Sequence, residues 1–149
     1  AGLGPGLWFW HAYVQAARGD RSDCLASLKR ILARSDAAAG LGRSQRGWIM
    51  RTYADLHYLA GRRADALRLY NLLAEIDGID GDWARYQLAN HHLIAGEYDE
   101  AEAIYSTFCG IDAATPWQAR ACEMATVVAQ LTDIRKEGET YGTDVVHGR

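Results

Sequence analysis

From Leu7 onward, apolar side chains return at three- and four-residue intervals, the period of helices that bury one face. LWFWHAYVQAA, Leu7 to Ala17, predicts a strongly aromatic first helix, closed by Gly19-Asp20. Ser22 and Asp23 are read as caps of a second helix to about Arg34, with Cys24, Leu25, Leu28, Ile31 and Leu32 as its stripe. After the small-residue loop Ser35 to Arg43, a helix is expected from about Ser44 to Ala60. Its partner carries Ala66, Leu67, Leu69, Tyr70, Leu72, Leu73 and Ile76. A third pair is read with Asp82 as the cap of its first helix and a turn at Gly96-Glu97. Thr115-Pro116 then opens a last helix to about Thr132, with Gln118 completing a capping box. Two prolines and long runs without breakers fit an all-α chain.

These elements repeat. Gly61, Ala66, Tyr70 and Asp77 recur as Gly96, Ala101, Tyr105 and Asp112, a shift of 35 (96−61). Ala54 matches Ala89, His57 matches His92, and Trp48 matches Trp83. A fixed period of this size is the mark of stacked helical units. The expected organisation is a linker or trimmed end at 1–6, an array over 7–133 and a polar tail at 134–149. The units span about 7–34, 44–77 and 82–112, followed by the helix 116–133.

The third unit, with Leu88, Ala89, His92, Gly96, Tyr98, Ala101, Tyr105 and Phe108, resembles the tetratricopeptide repeat. The second unit matches with Tyr53, Ala54, His57, Gly61, Ala66, Tyr70 and Leu73; the first, with Trp8, Ala12, Gly19, Cys24, Leu28 and Ile31, is looser. The resemblance departs at the closing proline, displaced to Pro116, and at His57 and His92, which replace an aromatic. It implies a right-handed α-α superhelix of about three helix-turn-helix repeats plus a C-terminal helix, its concave groove lined by the first helix of each pair. The function implied is binding a peptide or helix of a protein partner. Pentatricopeptide arrays share the period, but an RNA reader needs basic surface along its length.

Helical phase places Trp48, Arg51, Asp55 and Tyr58 on the groove side of the second unit. Trp83, Tyr86, Asn90 and Leu93 follow in the third, and Trp117, Arg120, Met124 and Val127 in the last helix, with Phe9 and Tyr13 as first-unit counterparts. Trp48, Arg51, Tyr58, Trp83, Tyr86, Asn90, Trp117 and Arg120 are the expected partner-binding residues, Trp, Tyr and Arg being the types that dominate binding hot spots. The alternative is that each tryptophan seals the seam to the preceding unit. Asn90 fits a clamp for a peptide C-terminus, but Asp55 stands at the equivalent place, so that clamp is not expected.

Charge adds a second reading. Residues 1–74 carry 11 Lys/Arg against 5 Asp/Glu, a balance of +6; residues 75–149 carry 5 against 14, a balance of −9. Solvated helix faces are one explanation and head-to-tail contact between copies another. The self-associating or accessory-domain role is therefore the rival to partner binding. His91 and His92 point about 100° apart on a helix and make no shared metal site. No catalytic constellation, nucleotide loop or cofactor motif stands out. Cys24, Cys109 and Cys122 are expected as buried free thiols, a Cys109–Cys122 bridge being the alternative. No membrane span is expected. Few cysteines, no signal pattern and a pI near 5.9 point to the cytoplasm, with a periplasmic or secreted location open if a leader was removed.

Overall fold

The structure, a computed structural model, describes residues 4–34, 39–110 and 114–147. Expectations that fall on residues 1–3, 35–38, 111–113 (Asp112 among them) and 148–149 lie outside the described residues.

Among the described residues seven α-helices are given bounds, in order: α1 Pro5–Arg18, α2 Arg21–Leu32, α3 Arg43–Leu59, α4 Arg63–Ala74, α5 Ile79–Ile94, α6 Tyr98–Phe108 and α7 Pro116–His147. The first six form three hairpins with one design. Gly19, Gly61 and Gly96 end α1, α3 and α5 with φ of 80°, 78° and 77°. At each, two reverse hydrogen bonds close the helix. Gly61 N–H donates to Tyr58 O and Arg62 N–H to His57 O, each at 3.0 Å, and the same pair recurs at Gly96-Glu97 and Gly19-Asp20. A left-handed residue is required there, and glycine takes it without a Cβ penalty.

The register extends to the cores. Ala12, Ala54 and Ala89 are 0% exposed, as are Cys24, Ala66 and Ala101 at the equivalent place in the second helices. One turn on, Leu28, Tyr70 and Tyr105 are buried, and Ile31, Leu73 and Phe108 follow them. Small side chains let the paired helices approach, and the larger ones fill the space beside the crossing.

The chain divides into two compact units, Ala1–Leu69 and Tyr70–Arg149, with the division inside α4. In the first, α1 packs on α2 and α2 on α3, around a core that includes Phe9, Cys24, Leu28, Ile49 and Leu56. In the second, α5, α6 and α7 pack on one another around Ala89, Ala101, Tyr105, Phe108, Ala121 and Val128. The +6 and −9 balances hold unchanged for these units, because residues 70–74 carry no charge.

Several boundaries differ from expectation. Helix α1 begins at Pro5, inside the expected linker, since proline suits the first turn. Asp20 precedes α2, so Ser22 and Asp23 lie inside its first turn, and no side-chain cap bond forms. Helix α5 starts at Ile79, three residues before Asp82, which is therefore not its cap. The last helix does not stop near residue 132 but continues to His147. Arg135 anchors the extension: its guanidinium lies 5.2 Å from the Tyr98 ring centre, and Nη1 donates to Gly96 O at 3.4 Å. The Thr115 cap holds, with Gln118 N–H donating to Thr115 Oγ1 at 3.4 Å.

Two of the three cysteines are not free. Cys109, just past α6, is bonded to Cys122 of α7, with Cα atoms 4.8 Å apart. The expectation of three buried thiols fails because Cys109, past the end of α6, lies beside Cys122 of α7 and is exposed. Cys24 alone is a buried thiol, packed with Sγ 3.4 Å from Ala12 O. The bond closes a separation of 13 residues, so losing it releases loop entropy in the unfolded chain worth about 3 kcal/mol. Melting with and without reductant checks this. Wild type is expected to lose stability on reduction, and Cys122→Ser to start at the lower value and stay there.

Candidate partner-binding surface

The expected contact residues separate into distinct environments. In the first unit Trp48 is half-buried, edge-on to Phe9 at 5.4 Å and tilted against Tyr13 of α1 at 5.3 Å. It thus seals α3 against α1. Arg51 is half-buried, and burial lowers its pKa while Asp55 partly offsets the shift. Tyr58 is half-buried beneath Arg63, whose guanidinium sits 5.4 Å from the ring centre.

In the second unit Trp83 is 6% exposed and packs edge-on to Tyr70 at 5.4 Å. It is a seam residue with little surface left for a partner. Tyr86 is half-buried between Tyr105, at 5.5 Å, and Trp117, at 5.3 Å. Tyr105 donates its hydroxyl proton to Asn90 Oδ1, and Asn90 Nδ2 donates to Gln87 Oε1 at 3.5 Å. Burial pushes the Tyr105 phenol well above its ordinary range, so it stays a donor at any working pH. Arg120 is exposed and lies over the Trp117 ring, 5.3 Å from its centre. The structure therefore brings Tyr86, Asn90, Trp117 and Arg120 together through one aromatic stack. Trp48, Arg51 and Tyr58 occupy α3 in the other unit.

Asp82 carries a role that sequence reasoning missed. It is 3% exposed, and its carboxylate accepts from Arg85 Nη1 at 2.8 Å, Thr115 Oγ1 at 2.8 Å and Gln118 Nε2 at 3.0 Å. Three donors satisfy a buried charge that would otherwise be costly. Together they tie the start of α7 to α5, which sets the position of Trp117 and Arg120. A sequence signal existed, since Asp82 precedes Trp83 as Pro116 precedes Trp117, but the pairing is across 33 residues.

The two register-equivalent histidines are satisfied locally. Arg62 Nε donates to His57 Nδ1 at 2.9 Å, whereas His92 Nδ1 pairs with Glu97 Oε2 at 2.6 Å. Each partner is the residue just past the turn glycine. Burial first, then the Arg62 cation, lowers the His57 pKa, so this ring accepts as a neutral imidazole. Among the described residues no cluster of histidine, cysteine or carboxylate side chains could hold a metal ion. No described helix is long and apolar enough to cross a membrane.

Residues 47–71 and 83–105 match the sequence model of the tetratricopeptide repeat. The first stretch covers most of α3 and the first three-quarters of α4, and the second runs from Trp83 in α5 to Tyr105 in α6. These two stretches support a tetratricopeptide-like repeat architecture, and α1 and α2 keep the same register outside them. Repeats of this family generally mediate contacts between proteins and typically act as non-enzymatic scaffolds. No curated protein and no solved structure matches the chain.

Proposed function

We propose that this chain is a protein-interaction module whose first-type helices receive a peptide or helix of a partner. The observation that carries the reading is the exposed Arg120 guanidinium lying on Trp117, which itself leans on Tyr86. An Arg held over an aromatic face is pre-oriented, so less side-chain entropy is lost when it meets a carboxylate or a backbone carbonyl. The neighbouring Trp and Tyr offer apolar contact, the combination common at binding hot spots. In the first unit, Trp48, Arg51 and Tyr58 present the same residue types on α3, which makes them second candidates for contact. Trp83 contributes by holding the seam. The −9 balance of the second unit disfavours nucleic acid as the partner.

Selection from a displayed random-peptide library is the direct test. Wild type is expected to enrich peptides bearing a carboxylate beside an apolar residue. Arg120→Ala should weaken the best of them about 10-fold or more, with helical circular dichroism unchanged. Binding equal to wild type by a folded Arg120→Ala would overturn the assignment of this surface. The Cys109–Cys122 bond also favours an oxidising compartment over the cytoplasm expected from composition. Alkylation of free thiols in protein taken directly from its cells should then label Cys24 alone, after denaturation.

A further inference from the structure

The disulfide of the second unit joins sulfurs in unlike settings. Cys109, just past α6, is exposed, whereas Cys122 is half-buried on α7. Beside Cys109 lies a cavity of about 510 Å³, whose lining includes Asp82, Arg85, Thr107 and Gln118 as well as Cys109 itself. That size falls within the roughly 300–1,000 Å³ of ligand clefts. Its polar walls suit a molecule that forms hydrogen bonds.

We propose that Cys109 is a thiol-exchange site, at which a small polar thiol of up to tripeptide size forms a mixed disulfide. The incoming thiolate attacks Cys109 Sγ, making a new S–S bond as the Cys109–Cys122 bond breaks. The incoming sulfur is oxidised, Cys122 Sγ leaves with the electron pair, and the Cys122 thiolate takes a proton from water. The number of disulfides is unchanged, so the thiol is the one co-reactant required. Access selects the sulfur that is attacked, and an exposed disulfide is the kind that exchanges. The cavity gives the rest of the thiol a place beside that sulfur.

The fold lets this bond open without releasing α7. Thr115 Oγ1 and Gln118 Nε2 tie the start of the helix to Asp82 at 2.8 and 3.0 Å. Ala121 and Val128 further hold α7 in the core with α5 and α6. Cys122 therefore stays close to Cys109 after exchange. Its attack on the mixed disulfide restores the original bond and frees the thiol, so the reaction is reversible and its extent follows thiol concentration. Cys24, buried in the first unit with Sγ against Ala12 O, takes no part. The site stands apart from the peptide-binding reading, since it is defined by its own chemistry.

Mass mapping of the wild-type chain held with reduced glutathione and quenched in acid tests this. Glutathione is expected on Cys109 with Cys122 free, and an unmodified Cys24 reports an intact fold. Single variants measure the preference between the two sulfurs. With oxidised glutathione, Cys122→Ser should form the mixed disulfide about 10-fold or more faster than Cys109→Ser. Circular dichroism checks the fold of both. Thr107→Trp, at an exposed position of the lining, tests the cavity. Added to Cys122→Ser, it should slow oxidised glutathione about 3-fold or more and leave the smaller hydroxyethyl disulfide unaffected. Thr107→Phe replaces it should the tryptophan disturb the fold. Glutathione found on Cys122, equal rates in the two single variants, or no mixed disulfide at roughly 10 mM thiol overturns the proposal. Equal slowing of both reagents, or of neither, overturns the part assigned to the cavity.

Discussion

Gly81→Ala is expected to cost about 3 kcal/mol or more and to stand out among small substitutions in the second unit. Gly81 lies in the first turn of α5, buried against the segment that leaves α4. A Cβ there would fall well inside the Ile76 carbonyl oxygen, 2.9 Å from the Ile76 carbon and 3.2 Å from Leu73 O. All three are backbone atoms, so no side chain can swing away, and the α4–α5 connection itself must move. Alanine is ordinarily the better helix former by about 1 kcal/mol, so the sign of the effect separates steric exclusion from propensity. Chemical denaturation of the two proteins measures it. A Gly81→Ala chain as stable as wild type would show that the connection has room to relax.

Tyr105→Ala should cost a similar or larger amount, about 4 kcal/mol. The ring is fully buried at the centre of α5, α6 and α7, touching Tyr86 and bonded to Asn90. Truncation removes the largest buried side chain of this core and leaves Asn90 Oδ1 without its donor. Tyr105→Phe divides the two contributions. It keeps the ring and should cost about 1 kcal/mol, the ordinary worth of one hydrogen bond. Because Tyr86 leans on Tyr105 and Trp117 leans on Tyr86, Tyr105→Ala should also weaken peptide binding at Arg120, although residue 105 touches no partner. Tyr105→Phe should leave binding unchanged.

Much of this architecture was legible because it is steric and local. A glycine that must be left-handed and an alanine where helices cross admit few alternatives. Their spacing therefore announced Gly19, Gly61 and Gly96 and the buried Ala54, Ala66, Ala89 and Ala101. The tryptophan ladder was less transparent. Trp48, Trp83 and Trp117 share a phase, yet Trp83 is sealed beneath Tyr70 while Trp117 keeps surface under Arg120. Periodicity orients a side chain about its own helix axis. What covers it depends on the neighbouring helices: Tyr70 of α4 closes over Trp83, whereas Trp117 leans on Tyr86 of α5.

The sequence by itself determined the repeat, its period, the helical pairs and the small-residue positions that let them pack, because each follows from interactions within about 35 residues of chain. Tertiary structure alone decided three things. Asp82 became a hub for Arg85, Thr115 and Gln118 instead of a cap, because α5 begins a turn earlier than its sequence signals. Cys109 met Cys122 because the packing of α6 on α7 sets their Cα atoms 4.8 Å apart. And α7 outran its expected end because Arg135 found Tyr98 and the Gly96 carbonyl. Each joins groups that spacing along the chain does not bring together, and their energies depend on distances of a few ångströms that only the folded chain sets.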